Sequence, residues 1–156
     1  MIKIKRLTAD AKLPSMSNPN DAGLDLHTTV SADIPPMCRA KLTTGLAIAL
    51  PVGTVGLIWP RSKLANEWGL GVLGDVVDCD HRLGILGGVV DCDYRGEVMI
   101  SVINHGHDTI ELRAGDKVAQ MIIQEHKSGM EIIEVRDLDD TERGTSGIND
   151  SELRLK

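Results

Sequence analysis

Six short segments rich in aliphatic and β-branched residues constrain the fold of this chain more than any other feature. In chain order they are MIKIKRL, LTTGLAIAL, TVGLIW, VMISVIN, KVAQMIIQE and MEIIEV. The residues that separate them are mainly Pro35, Pro36, Pro51, Gly53, Gly106, Gly115 and Gly129. Short strands at fairly regular spacing between turn residues are typical of antiparallel sandwiches, jelly rolls and barrels. The pattern therefore predicts an all-β fold.

The core has to be aliphatic, because the 156 residues include no Phe, one Tyr and two Trp. A chain of this length is expected to form one domain with its own core. One short helix is predicted in PRSKLANEWGL, with Ser62 as the N-cap, Leu64 to Trp68 helical and Gly69 at the end.

Charge and composition argue against several partners. The formal net charge of −6 disfavours binding to a nucleic-acid polymer or an anionic membrane. No stretch approaches the roughly 20 apolar residues of a membrane span, and MIKIKRLTAD lacks the apolar centre of a signal peptide. The odd set Cys38, Cys79 and Cys92 indicates reduced thiols. We expect a cytoplasmic protein, or one of the host-cell cytoplasm or nucleus if the source is viral.

Residues 71–83 are nearly repeated in residues 84–96. The two copies share Gly, Leu, Gly, Val, Val, Asp, Cys, Asp and Arg, which are nine of 13 positions. The two copies are offset by 13 residues, an odd number, so in one continuous strand their equivalent side chains would point to opposite faces. One copy therefore cannot be part of that strand. We expect residues 71–83 to form an extended excursion at the rim of the site. Only the second copy has Gly88, Tyr94 and Gly96.

Two segments carry groups suited to a phosphorylated ligand. Arg61 and Ser62 lie at the start of the predicted helix, where a guanidinium, a hydroxyl and backbone N–H groups suit phosphate oxygens, unless they only cap and solvate it. Asp91 and Asp93 are predicted on one side of a strand and Tyr94 on the other. A carboxylate there can orient a water while the ring packs on a sugar; the alternative is an acidic, solvated hairpin tip.

Gln120 is a polar residue within an otherwise apolar run, KVAQMII. A buried amide has to be hydrogen-bonded. Its partner is expected to be either the backbone or a functional group such as a held water.

In this order, DAGLDL, GLIWPRSKLA, GGVVDCDYRGEV, GDKVAQMII and ERGTSG resemble the five motifs of the trimeric deoxyuridine triphosphate nucleotidohydrolases, the dUTPases. The resemblance implies an all-β jelly roll or distorted β-barrel with one short helix over residues 1–136, followed by a flexible arm over 137–156. It also implies a homotrimer with active sites between subunits. The implied reaction is Mg²⁺-assisted hydrolysis of dUTP to dUMP and pyrophosphate, which removes dUTP and supplies dUMP for thymidylate synthesis.

Three catalytic residues follow from the resemblance. Asp91 is expected to deprotonate the attacking water, Gln120 to hold the same water against the α-phosphorus, and Asp25 to order waters or groups near the metal. Mg²⁺ is expected to be held by substrate phosphates and waters, without a direct protein ligand.

The resemblance also implies a set of substrate-binding residues. The phosphates would contact Arg61, Ser62, Lys63 and Arg143; the deoxyribose would lie on Tyr94; and the uracil would be read by the backbone of Gly88, Val89 and Val90, near Met99 and Asp91. Lys63 replaces a small residue of the family pattern, and it either adds a cation near the phosphates or points outward. The last motif lacks the family's aromatic residue.

The resemblance also implies which copy of the repeat functions. The family has one such hairpin, and the second copy is expected to be the functional one because it alone keeps Gly88, Tyr94 and Gly96.

Three other functions fit parts of the sequence. A chain with this fold could be a nucleotide- or protein-binding regulator with weak or no hydrolysis. His105, His107 and Glu111 resemble the metal-binding strand of cupins, although their glycine spacing differs. A related deaminase acting on dCTP is the third alternative, which the intact DYRG segment disfavours.

Overall fold

The computed structural model describes residues 1–73, 88–127, 129–142 and 144. Within these ranges the chain forms ten β-strands and one α-helix. The elements are β1 (Lys3–Arg6), β2 (Leu24–His27), β3 (Ala32–Ile34), β4 (Arg39–Ala49), β5 (Thr54–Pro60), α1 (Ser62–Trp68), β6 (Leu70–Leu73), β7 (Gly88–Val90), β8 (Glu97–Asn104), β9 (Ile110–Leu112) and β10 (Lys117–Glu125).

Antiparallel pairing arranges these strands in three sheets. One four-stranded sheet has the order β1-β4-β8-β6, a second has the order β2-β10-β5-β7, and β3 pairs with β9. The prediction of an all-β fold with one short helix is confirmed. Neither four-stranded sheet closes into a barrel.

Five of the six strand-like segments contribute to strands, and the sixth does not. MEIIEV was predicted as a strand, but residues 130–135 form no strand within the described part of the chain. Ile132 is 96% exposed and Ile133 is 68% exposed. This prediction is wrong because an apolar segment becomes a strand only where a sheet edge offers hydrogen-bond partners, and periodicity does not show whether the same chain provides one.

The N-cap of the helix lies one residue earlier than predicted. Arg61 has extended dihedral angles, φ −83° and ψ 132°, and its carbonyl accepts a hydrogen bond from the Ala65 N–H at 3.0 Å. Arg61 is therefore the N-cap and Ser62 the first helical residue, so the prediction of Ser62 as N-cap is wrong. Gly69 ends the helix in the left-handed region at φ 68°, as predicted.

The core is aliphatic, as the composition requires. Its side chains come from both four-stranded sheets and from β3 and β9. Those exposed by less than 2% are Leu26, Ile34, Leu42, Leu46, Ile48, Leu70, Val72, Val98, Ile100, Val102, Val118 and Met121. None of the helices in the described ranges is long and apolar enough to cross a membrane.

The near repeat is divided between two sheets. Gly71 to Leu73 begin the first copy and belong to β6, which pairs with β8, and Val72 is buried. The expectation that residues 71–83 loop out is therefore wrong for these first three residues. Residues 74–87 lie outside the described part. Gly88 to Val90 belong to the second copy and form β7 in the other sheet.

Thus the first copy supplies the end of β6, and the second copy supplies all of β7. Beyond these strands, residues 137–142 are exposed and form no strand or helix. The rest of the predicted arm, apart from Gly144, lies outside the described residues.

Truncation of Val72 tests which copy supplies β6. We expect Val72→Ala to lower the free energy of unfolding by about 2 kcal/mol, because it removes buried methyl groups from a packed core. Chemical denaturation monitored by circular dichroism would measure the loss. The matched control is Ile85→Ala, the equivalent position in the second copy; a larger loss for Ile85→Ala would show that the second copy supplies β6.

Candidate active site

The register of β10 brings two predicted catalytic residues together. Gln120 on β10 lies opposite Asp25 on β2 and also opposite Trp59 on β5. Side chains of directly opposite residues point to the same face of a sheet and are roughly 5 Å apart at Cβ. Arg61 follows the end of β5 directly, so it lies at the same end of the sheet.

The Asp25 carboxylate is buried and shared by three groups. Its Oδ1 is 3.0 Å from Nε of Arg61, and its Oδ2 is 2.7 Å from Nζ of Lys117. The Ser17 hydroxyl donates to the same Oδ2 at 2.7 Å and accepts from Lys117 Nζ at 2.9 Å. The side chain of Asp25 is only 8% exposed. A carboxylate at this depth requires such partners.

These partners set the ionisation of two residues on β2. Burial would raise the pKa of Asp25, but hydrogen bonds from Lys117 and Ser17 and the charges of Arg61 and Lys117 outweigh burial and lower it below the ordinary value. Burial, together with the positive charges of Lys12, Lys117 and Arg61, lowers the pKa of His27 despite the opposing charge of Asp25. Asp25 is therefore ionised and His27 neutral at pH 7.

Gln120 is held by the backbone of two neighbouring segments. Its Nε2 donates to the Pro60 carbonyl at 3.1 Å. A Cβ atom added to Gly23 would overlap Oε1 of Gln120 and would lie 3.0 Å from its Cδ. The absence of a side chain at position 23 therefore makes room for this amide. Of the two partners considered from the sequence, the backbone is the one that the structure shows.

Lys63 points outward, one of the two alternatives left by the sequence. Its side chain is 74% exposed, and its Nζ is 4.0 Å from a carboxylate oxygen of Glu67 one helical turn later. A pair this exposed contributes little to stability. Ser62 is adjacent to Arg61 at the start of α1, and Arg143 lies outside the described residues.

Asp91, Asp93 and Tyr94 lie in a turn and not along a strand. β7 ends at Val90, and the Tyr94 N–H donates to the Asp91 carbonyl at 3.1 Å. The prediction that Asp91 and Asp93 share one side of a strand is therefore wrong, because a turn closes directly after Val90. The Tyr94 hydroxyl donates to the Glu97 carbonyl at 3.1 Å, which fixes a ring that is still 39% exposed.

The predicted base-reading residues form an outer strand. Within the described ranges, β7 is the last strand of its sheet, and only β5 is paired with it. Val90 is buried, whereas Val89 is 56% exposed. Met99 is half-buried on β8, opposite Thr43.

One chain does not bring Asp91 close to Arg61. Val90 pairs with Gly56, which precedes Arg61 by five residues along β5. At about 3.3 Å per residue these positions are ~16 Å apart, and Asp91 lies further in the same direction. The structure therefore divides the predicted residues into two groups. Asp25, Gln120 and Arg61 lie at one end of the sheet, and the turn from Asp91 to Tyr94 lies towards the other, with β7 leading from Ile58 to Gly56 between them.

Two residues of the first group had no role assigned from the sequence. Lys117 is part of the GDKVAQMII segment. The only sequence feature that could have indicated a role for it is a basic residue at the start of an apolar strand. Ser17 lies eight residues before Asp25 in a segment with no motif, and no pattern in the sequence indicates that it contacts Lys117.

Metal-binding geometry is absent from the described residues, which contain no group of three or more His, Cys, Asp and Glu side chains able to hold an ion. His105, His107 and Glu111 form no such group. A groove of about 650 Å³ beside the end of α1 and β9 contains none of the predicted site residues. Four carboxylates line it, from Glu67, Asp108, Glu111 and Asp116. This charge disfavours a triphosphate there.

Comparison with known proteins supplies the family. The dUTPase family model matches residues 9–152. The deoxyuridine 5'-triphosphate nucleotidohydrolase of Nocardia farcinica is 42% identical over 149 residues, which cover 94% of this chain and 82% of that protein. The enzyme of the same name from Arabidopsis thaliana is 36% identical over 145 residues, covering 93% and 79%.

Solved structures support the same fold at lower sequence identity. The Staphylococcus bacteriophage 80alpha dUTPase with dUpNHpp superposes with a TM-score of 0.83 at 20% identity, covering 98% of this chain and 99% of that one. A mutant dUTPase from phage phi11 of S. aureus with a structural Mg(II) ion gives a TM-score of 0.74 at 21% identity, with 88% and 97% covered. An all-β chain with this motif order and this match belongs to the dUTPase family.

The lowered pKa of Asp25 predicts how stability depends on pH. An ionised Asp25 stabilises the fold above the ordinary carboxyl pKa of 3.8, and this contribution is lost as the pH falls through the lowered value. We expect Asp25→Asn to cost about 2–4 kcal/mol near neutral pH, because it leaves two cations without their anion. The difference from the wild type should shrink as the pH falls below 3.8.

Urea denaturation of both proteins across this pH range would measure the difference. The matched control is Asp33→Asn, which changes an exposed carboxylate on β3. A stability gap between wild type and Asp25→Asn that is the same at every pH would contradict the prediction.

Proposed function

We propose that this protein hydrolyses dUTP to dUMP and pyrophosphate by attack of water on the α-phosphate. The observation that carries the proposal is the arrangement of Asp25, Gln120 and Arg61 at one end of a sheet in a chain of the dUTPase family. The relatives named above are deoxyuridine triphosphate nucleotidohydrolases. The activity removes dUTP and supplies dUMP.

Arg61 is the principal phosphate ligand in this proposal, with Ser62 next to it. Arg61 keeps 30% of its side chain exposed while Asp25 holds its Nε. A guanidinium with free terminal N–H groups suits paired phosphate oxygens. Lys63 contributes at most a long-range charge, because it is paired with Glu67. Arg143 is proposed to contact the terminal phosphate.

Mg²⁺ fits this site as an ion held by the phosphates and waters. Both oxygens of Asp25 are occupied by Arg61, Lys117 and Ser17, so this carboxylate is not available as a direct ligand. No other ligand group is present in the described ranges. When bound, the ion would supply neutralisation of phosphate charge. Asp25 would influence the phosphates and the ion indirectly, by holding Arg61 in place.

The attacking water is proposed to lie between Asp91 and Gln120. Asp91 would accept its proton as general base, and Gln120 would fix its position. These two residues belong to the two separated groups of the chain, at opposite ends of β5. A complete site therefore requires Asp91 from one subunit and Gln120 with Arg61 from another.

The exposed apolar surface supports a homotrimer of this kind. Trp59 is 47% exposed and Val89 is 56% exposed, and the register places both on the face of the sheet that carries Gln120. Ile132 and Ile133 are also exposed, in a segment without regular secondary structure. Exposed large apolar side chains favour burial between subunits.

Uracil and deoxyribose would be recognised beside Asp91. Because β7 is the outer strand of its sheet within the described ranges, its backbone N–H and C=O groups that face away from β5 can pair with a base. Cytosine places a donor where uracil has an acceptor, so it would leave these groups mispaired. The Tyr94 ring is fixed by its hydrogen bond to Glu97. It would pack on the deoxyribose and exclude a 2′-hydroxyl, and Met99 would lie close to the uracil.

A substrate panel tests the proposed activity directly. We expect pyrophosphate release from dUTP with Mg²⁺, and at least about 100-fold lower kcat/KM for dCTP, dTTP and UTP, since each leaves a polar group mispaired or meets a steric clash. Release with dCTP as the preferred substrate would indicate a deaminase-related pocket. Binding of dUTP without release would indicate a regulator and contradict the proposal.

Mixing two inactive variants tests the division of the site between subunits. Asp91→Asn removes the general base and should reduce kcat by about 10²–10⁴-fold, and Arg61→Ala should also inactivate the enzyme. After the two variants are unfolded and refolded together, we expect activity to return, because some sites then combine an intact Asp91 with an intact Arg61.

The control is each variant refolded alone, which should remain inactive. A mixture that is no more active than the two variants separately, despite mixed oligomers detected by native mass spectrometry, would show that one chain provides both residues.

A further inference from the structure

We propose that Lys117, held by Ser17, is a positioning residue for Arg61. Lys117 and Ser17 occupy one oxygen of Asp25, so that the other oxygen fixes the Arg61 guanidinium through Nε. The inference rests on the proposed function and adds two residues to its phosphate-binding machinery.

The geometry of the Asp25 carboxylate carries the inference. Ser17 Oγ, Lys117 Nζ and Asp25 Oδ2 form a closed triangle with contacts of 2.7, 2.9 and 2.7 Å. The second oxygen, Oδ1, contacts Arg61 Nε at 3.0 Å. A carboxylate whose two oxygens are fixed by different cations has little freedom to rotate. Asp25 therefore transmits the position of Lys117 to Arg61.

The way in which Arg61 is held matters for phosphate binding. The ion pair uses Nε, and no other side chain pairs with this guanidinium within the described ranges. The two terminal amino groups keep their donors for phosphate oxygens, which they bind as a planar fork. A carboxylate free to rotate could instead engage these terminal groups and compete with the substrate.

Charge supports the same conclusion. Asp25 and Arg61 alone would be a neutral pair, whereas the addition of Lys117 leaves one net positive charge beside the proposed phosphate site. The other titratable group close to Asp25 is His27, on the same strand, and it is neutral because burial and nearby cations lower its pKa. The positive charge of Lys12 also lowers the pKa of His27.

The main test is Lys117→Met, which removes the ammonium and keeps an apolar stem. We expect KM for dUTP to rise about tenfold, the effect of losing one ordered charge-assisted contact, with a smaller change in kcat. The acidic limb of the kcat/KM profile should shift to higher pH, since burial then raises the pKa of Asp25 against fewer partners. Lys117→Arg should restore most of both properties.

Two further variants separate positioning from other roles. Ser17→Ala should change KM in the same direction by a smaller factor, and it keeps the test decisive if Lys117→Met does not fold. Lys41→Met, which removes an exposed lysine on β4, is the control for charge alone. Thermal denaturation of each variant would show whether folding is altered.

A double-mutant cycle with Asp25→Asn identifies the route. If Lys117 acts through Asp25, Lys117→Met has little further effect on KM in the Asp25→Asn background. Additive effects would mean that Lys117 contacts the substrate directly, and they would overturn the proposal. A lower melting temperature with unchanged KM and pH profile would also overturn it, since the role would then be structural only.

Failure of the proposed function would be visible separately. Hydrolysis of dUTP by the wild type is measured first. If it is absent, the proposed function fails, and the positioning role is then judged from the affinity for dUpNHpp by calorimetry. Equal affinity of the wild type and Lys117→Met would overturn the positioning role as well.

Discussion

The burial of one ionised carboxylate is the constraint on which the candidate site depends. Asp25 sits on a strand whose neighbouring residues face the core, and its side chain is 8% exposed. An isolated charge at that depth would be neutralised or would destabilise the fold, so cations from other segments have to reach it. Arg61 follows β5, Lys117 begins β10, and Ser17 precedes β2. The order of these strands therefore determines the position of Arg61, the proposed phosphate ligand.

The strand order explains why the chain separates its functional groups. β10 lies between β2 and β5, which places Asp25 and Gln120 side by side. β7 pairs with the middle of β5 and runs antiparallel to it, so the turn with Asp91 is carried towards the beginning of β5 and away from Arg61. The core of a single chain is therefore packed although its predicted site residues are divided. In the proposed trimer, assembly and not folding of the monomer creates the catalytic geometry.

Much of the fold could be predicted because local pattern determines it. KVAQMIIQE forms β10 over its full length, and its alternate residues Ala119, Met121 and Ile123 pack in or against the core. MEIIEV has a similar composition and forms no strand, because pairing depends on a free sheet edge that composition does not reveal. The cap at Arg61 and the turn after Val90 were missed for a related reason, since backbone dihedrals at element ends depend on tertiary context.

The candidate site was predictable in its residue types and less so in its contacts. Motif order identified Asp25, Arg61, Asp91 and Gln120, but the partners of Asp25 come from segments up to 100 residues apart in sequence, and only the folded register brings them together. The same register has an evolutionary consequence at Gly23, where a Cβ would overlap the amide of Gln120. Positions 23 and 120 are thus epistatic. A side chain at position 23 would displace the Gln120 amide from its present place beside Pro60, so a change at one position alters the cost of a change at the other.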